Sequence, residues 1–237
     1  MGINNLTILT HTHTDCKDLW GPYFDAYETF FNTANHLVMV NEISSEISLK
    51  QLKYDSSLLF SDRLIFALGN IETDFVLISL EDMILYGNIL FNEIEQIIYK
   101  MIEEPSILYT RLIKSGVKSN NLVSGNLFRV ESTDFLLSIT PAIWSVKKLK
   151  TILSELRGLT IWDLELIGDD LLRKKGINGL YYYYNGEPKR GGHYDSSIFP
   201  HICTAIGKGK WNTGEYSKEL TPIFEKYGIN PEIRGTF

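Results

Sequence analysis

The stretch from Thr73 to Leu85, TDFVLISLEDMIL, sets the terms for the rest of the chain. Phe75 to Ile78 form an unbroken apolar run, the pattern of a strand buried on both faces. Such a strand needs a helical layer on each side, and the neighbouring sequence supplies both. Leu6 to Thr10 and Leu37 to Val40 read as two more short strands. Between them Leu19, Trp20, Tyr23, Phe24, Tyr27, Phe30 and Phe31 recur at helical spacing, with Pro22 near the first turn. A second helix is expected from about Leu58 to Leu68, with Asp55 or Ser56 as N-cap, and a third from about Ile89 to Ile102. This β-α-β-α-β-α order predicts a three-layer α/β fold around a parallel sheet. Glu81 and Asp82 follow the central strand at once. In open α/β sheets ligands bind beyond the carboxyl ends of the strands, so both acids stand where a ligand or metal would. A solvated turn or a cap is the alternative use for them.

Beyond residue 105 the pattern changes. Ile107 to Leu112, Leu127 to Val130 and Phe135 to Ile139 are extended runs with no helix between them, which predicts an antiparallel or mixed part of the sheet. Pro141-Ala-Ile-Trp144 is expected to end these strands, and Ser145 to cap a helix with Val146, Leu149, Ile152, Leu153 and Leu156 on one face. Thr160 starts another helix, with Asp163 three residues on in a near-capping-box arrangement. Tyr181 to Tyr184 reads as a strand, and residues 186–209 as a long connection rich in Gly, Pro, Lys and His. The expected organisation is one domain, 1–237, with a nucleotide-binding half (1–105) and an acceptor half with a C-terminal tail (106–237).

Charge narrows the function classes. A net charge of −6 argues against a general nucleic-acid binder, whose phosphate contacts need clustered Lys and Arg. No apolar run approaches the ~20 residues of a membrane span. The two cysteines, Cys16 and Cys203, lie far apart and suggest neither a disulfide framework nor a zinc site. A cytoplasmic setting is the expectation.

Several stretches together resemble the compact GT-A glycosyltransferases, of the surface-glycan-building kind found in large DNA viruses and polysaccharide clusters. They are the first strand with its polar loop (Ile8 to Asp15), Ser61-Asp-Arg63, the strand-plus-acid run Phe75 to Asp82, Pro141-Ala-Ile-Trp144, Trp162-Asp-Leu-Glu165, Gly209-Lys-Trp211 and Tyr227 to Gly235. The resemblance implies a GT-A-like domain that takes a nucleotide sugar (UDP-linked or similar) and a glycan acceptor, assisted by Mn²⁺ or Mg²⁺. The metal motif of that family is Asp-x-Asp, whereas this chain reads Leu80-Glu81-Asp82 and keeps only the last acid.

The chemistry of sugar transfer assigns roles to these positions. A divalent ion on a diphosphate needs hard oxygen ligands. Asp82 is the first candidate, Glu81 binds directly, through water or to the donor, and His193 (or His201) would add a ligand from the late loop. As surface-loop histidines they would do nothing of the kind. Thr10, His11, Thr12, Asp15 and Lys17 follow strand one and would meet the base, as would Glu42 past strand two; helix capping is their alternative. Arg63 would fork a phosphate or pair with a nearby Asp. An inverting transfer, favoured here, needs a carboxylate base. Glu165 is the first candidate, then Asp163, which has the capping-box role as its alternative. Trp144 and Trp162 offer flat faces for a pyranose, although such rings also fill cores. The segment from Gly186 to Gly209 would serve as a lid, with Lys208 or Lys210 reaching the diphosphate.

Two rivals remain. A sugar-phosphate nucleotidyltransferase shares the sheet order, but normally carries a Gly-rich, basic loop after strand one, where this chain has His11-Thr-His-Thr-Asp-Cys16. A non-catalytic carbohydrate-binding protein with the same fold is the other.

Overall fold

The computed structural model describes residues 3–32 and 35–237. Its centre is a nine-stranded sheet ordered β3-β2-β1-β4-β8-β5-β9-β7-β6. The strands are β1 (Leu6–His11), β2 (Asn35–Val40), β3 (Lys50–Lys53), β4 (Phe75–Leu80), β5 (Tyr109–Arg111), β6 (Asn121–Ser124), β7 (Leu127–Arg129), β8 (Ala142–Ser145) and β9 (Leu180–Tyr182). β3, β2, β1 and β4 run parallel, and β8 then pairs antiparallel with both β4 and β5. The sheet is parallel on one side and mixed on the other, as expected, and strands from both halves of the chain share it.

Alternation along the strands builds two cores. Leu6, Ile8, Phe75 and Leu77 face α1 (Lys17–Phe30), α3 (Phe91–Glu103) and α6 (Thr213–Tyr227). Leu9, Val76 and Ile78 face α2 (Phe60–Leu68), α4 (Val146–Leu153) and α5 (Ile161–Lys175). Successive Cβ atoms on a strand point to opposite faces, so one apolar run such as Phe75 to Ile78 feeds both layers.

Four expectations need correction. Pro141-Ala-Ile-Trp144 does not end the strands: Ala142–Ser145 is β8, buried at the sheet's centre with Ile143 opposite both Leu77 and Thr110. An apolar run suits that place, and Pro141 lies just outside the ladder where its missing N–H costs nothing. Residues 135–139 form no strand, because α5 takes their backbone donors: Asp169 accepts from Leu136 N, and Glu165 accepts from Ile139 N at 2.6 Å. Gly168 permits this approach, since a Cβ there would sit 2.6 Å from Leu137 Cδ1. Residues 186–209 are not an open lid. They hold β10 (Lys189–Arg190), β11 (His193–Tyr194) and the first strand, β12 (Ile206–Gly207), of a hairpin closed by β13 (Lys210–Trp211), while Ile198, Phe199 and Ile202 are fully buried. Pro22 stands at the sixth position of α1, inside the helix, where its ring leaves the Asp18 carbonyl without its usual donor.

Caps also differ in detail. Thr160 caps α5 as expected, accepting from Asp163 N and donating to Asp163 Oδ2 at 2.7 Å. Ser145 holds the N-cap position of α4 but makes no side-chain cap bond. Leu59 precedes α2, and Asp55 instead braces the turn before it through Ser57. β3 and β6, in polar stretches without clear alternation, went unsignalled.

Candidate functional site

The carboxyl ends of β1 and β4 open into a cavity of about 520 Å³. β1 and the turn after it contribute His11 and Cys16, and α1 contributes Leu19; β4 and its exit contribute Leu80, Glu81 and Asp82. The first turn of α2 adds Leu59, Phe60 and Arg63, that of α5 adds Thr160, Ile161 and Trp162, and Ile206 closes one side. The parallel register places His11 beside Leu80, so the loops leaving the two strands emerge together. This is the position at which open α/β sheets take their ligands.

Among the described residues, Glu81 and Asp82 are the only carboxylates lining the cavity. No ion pair is formed by either among the described residues. Burial first, and the adjacent Glu81 second, push the Asp82 carboxyl up to about 7, against the pull of the Ile206 N–H it accepts. Glu81 is likewise raised by burial, while a hydrogen bond with the Cys16 thiol lowers it. The thiol is held well above its ordinary range by burial and by Glu81. Arg234 is the cation nearest in effect to Glu81, but its guanidinium is already forked onto Asp18 at 2.5 Å. Two repelling acids with no counter-charge fit a divalent cation, which would relieve both desolvation and repulsion. Asp82 would hold such an ion, leaving positions for diphosphate oxygens and water.

Opposite the acids lies a stacked group. The His11 ring stacks on Tyr54 at 5.3 Å and 19°, and the Arg63 guanidinium lies 4.5 Å from the centre of the same Tyr54 ring. Burial, then Arg63 and His13, hold the His11 imidazole down at about 3, so it is neutral at pH 7. Its Nε2 is buried without a partner among the described residues. Arg63 donates Nε to Leu58 O at 2.7 Å and Nη2 to Ser56 O at 3.1 Å, which fixes the plane of the fork. A neutral ring nitrogen and an oriented guanidinium suit a heterocycle edge and a phosphate respectively.

The other expected site residues lie elsewhere. Thr10 is buried beneath the sheet's end, bonded to Tyr23 Oη and His36 Nε2, both at 2.7 Å. Thr12 accepts from Trp20 Nε1 at 2.7 Å and locks α1 to the loop. Asp15 is exposed beside His13, Lys17 pairs with Glu46 at 3.7 Å, and Glu42 is exposed beyond β2. None of these lines the cavity. Trp144 is core, 1% exposed and 4.6 Å from the Tyr109 ring, so no sugar reaches its face. Glu165 accepts from Ser138 Oγ and Ile139 N, and Asp163 is engaged by Thr160. Neither lines the cavity; both are spent on holding α5 and the segment beside it. His193 is buried in β11, bonded to Tyr216 Oη at 2.6 Å, and His201 Nδ1 bonds Phe199 O at 2.7 Å. They do not join Asp82: among the described residues no three His, Cys, Asp or Glu side chains gather to hold a metal. Sequence reasoning missed Cys16, Tyr54 and Phe60. Cys16 stands between two named loop positions, Asp15 and Lys17, but nothing local distinguishes Tyr54 or Phe60 from ordinary core aromatics.

Four backbone amides of the loop after β1 are already engaged. Thr12 N donates to Met39 O, Thr14 N to Asn41 Oδ1, Asp15 N to His13 Nδ1 and Cys16 N to His13 O, all at 2.9–3.1 Å. These amides have no donor left over for a phosphate.

No protein-family profile matches the sequence, and no curated protein matches it either. Solved structures do share its fold. CMP:2-keto-3-deoxy-manno-octonic acid synthetase complexed with CTP superposes with a TM-score of 0.53 at 10% identity, over 93% of this chain and 98% of that one. A cytidylyltransferase from Leptospira borgpetersenii gives 0.50 at 11% identity, over 95% of both chains. Residues 1–349 of TarS from S. aureus, in complex with UDP-GlcNAc, give 0.50 at 13% identity, over 82% of this chain and 60% of that one. The chain therefore shares the α/β fold of these nucleotidyl- and glycosyltransferases.

Proposed function

We propose that the protein is a glycosyltransferase that moves a sugar from a nucleoside-diphosphate donor to a hydroxyl of a glycan acceptor. The observation that carries this is the pair Glu81 and Asp82, two acids without a counter-charge in the same cavity as His11 and Arg63. His11 and Arg63 would receive the nucleotide, with the base edge at His11 Nε2 and a phosphate at the guanidinium. Asp82 would hold Mn²⁺ or Mg²⁺, whose charge would offset that of the departing diphosphate. Glu81 is then the carboxylate left to accept the acceptor's proton in an inverting transfer, and burial, which raises its affinity for a proton, suits that role. The engaged amides of Thr12, Thr14, Asp15 and Cys16 favour this reading over a nucleotidyltransferase, whose triphosphate substrate calls for a loop of free N–H groups at this place.

A sugar-phosphate nucleotidyltransferase is the second reading, favoured by one observation. The superposition on the two cytidylyl-type enzymes runs nearly end to end in both chains, whereas this chain spans about 60% of the TarS fragment. One assay separates the two. Purified protein with Mn²⁺ and a panel of nucleotide sugars should slowly release nucleoside diphosphate. Release of pyrophosphate from CTP or UTP with sugar phosphates or sugar acids, and no diphosphate from nucleotide sugars, would reverse the order.

A further inference from the structure

Of the four tryptophans, Trp20, Trp144 and Trp211 are at most 2% exposed, while Trp162 is 74% exposed. An indole left in water forgoes a large burial gain unless something covers it. Trp162 is also not free to seek cover, because the turn that carries it is pinned to α2. Ser61 N donates to Leu159 O at 3.1 Å, Leu159 N to Ser61 Oγ at 2.9 Å, Gly158 N to Asp62 Oδ2 at 2.8 Å, and Arg157 Nε to Asp62 Oδ1 at 2.9 Å. The Thr160 cap then fixes the first turn of α5. The ring is thus carried on a braced backbone at the wall of the cavity that holds Glu81 and Asp82.

We propose that Trp162 is a stacking platform for a pyranose ring of the acceptor, which it holds at the mouth of the cavity. The proposal rests on the transferase reading above for the word acceptor, but not for the binding itself. A pyranose presents a patch of C–H bonds on one face and hydroxyls around its edge. It therefore needs a flat apolar surface with polar groups close by. Trp162 supplies the first, and Thr160, Arg63 and the two acids line the same cavity. Exposed Leu59 lines the same cavity, and Leu166, also exposed, follows Trp162 by one helical turn. Two other occupants fit less well. An anionic lipid surface would meet a chain of net charge −6. A nucleobase already has the His11 side of the cavity, with its unpartnered Nε2.

Because Trp162 alone is exposed, the quenching of tryptophan fluorescence by acrylamide reports on it. Oligomers of N-acetylglucosamine or of glucose, added without any nucleotide, should lower that quenching as they cover the ring. Trp162→Phe should remove the quenchable emission yet keep binding by calorimetry, whereas Trp162→Ala should weaken binding about tenfold or more. Absence of protection by both sugar series would overturn the proposal. So would equal protection by UDP or CTP, or by neutral phospholipid vesicles. Diphosphate release from nucleotide sugars, measured on the same preparation, tests the transferase reading separately: protection without release keeps the platform and removes the reaction.

Discussion

The two acids beyond β4 and the buried acids of the second half live under opposite conditions. In the second half nearly every buried carboxylate is answered. Asp134, 3% exposed, accepts from Lys118 N at 2.7 Å, from Glu131 N at 2.9 Å and from Ser119. Asp169 takes Arg173 and Leu136 N, Glu165 takes Ser138 and Ile139 N, and Asp195 and Glu219 share Arg190. At the end of β4, Glu81 and Asp82 stand side by side in the chain with no cation of their own, and both carboxyls are shifted upward. The first set ties irregular backbone to the fold. The second costs stability as it stands, and regains it only when a cation or ligand arrives.

That contrast can be broken by mutation. Asp82→Ala should lower diphosphate release from a nucleotide sugar by roughly two to three orders of magnitude, the scale of losing one charge-stabilising group. Its urea-unfolding midpoint should stay or rise; a fall would place Asp82 among the structural acids. Asp134→Ala should do the reverse, costing ~3 kcal/mol in urea unfolding by leaving several backbone donors unpaired. Its effect on calorimetric nucleotide binding should be small by comparison. Glu165→Gln is the sharper case, since its sequence position suggested a base while its contacts are those of a brace. About 1–2 kcal/mol of lost stability is expected, with turnover changed severalfold at most. A hundredfold fall in turnover at unchanged stability would return Glu165 to the chemistry.

A further expectation concerns pH dependence. Asp82 titrates near 7 in the fold against 3.8 unfolded, so between those values the folded chain holds the extra proton and stability falls as pH rises. Asp82→Asn should flatten that fall in metal-free protein followed by urea unfolding. His11 and His36 act in the opposite direction. Burial holds both at about 3 against 6.5, so their contribution is present above 6.5 and lost as pH drops toward 3. Substituting Asp82 should leave that acid limb in place.

Much of this architecture was legible in the chain because it rests on local periodicity. Strands β1, β2 and β4, helices α1 to α5, the Thr160 cap and the acids beyond β4 follow from spacing and residue type. The sequence also marked His11, Arg63, Glu81, Asp82 and Trp162, which the fold brings into one cavity. Contacts between distant segments were beyond its reach. Whether 142–145 terminates a sheet or lies at its centre depends on strands β4 and β5 lining up on either side of it. Whether Glu165 faces a substrate or the backbone of residues 138–139 depends on Gly168 letting α5 come close. Trp144 and Trp162 look alike as letters, yet one is sealed against Tyr109 and the other stands in water. Periodicity is set by each segment's own covalent geometry, whereas a side chain's partner is chosen by whatever the folded chain brings within a hydrogen bond's reach.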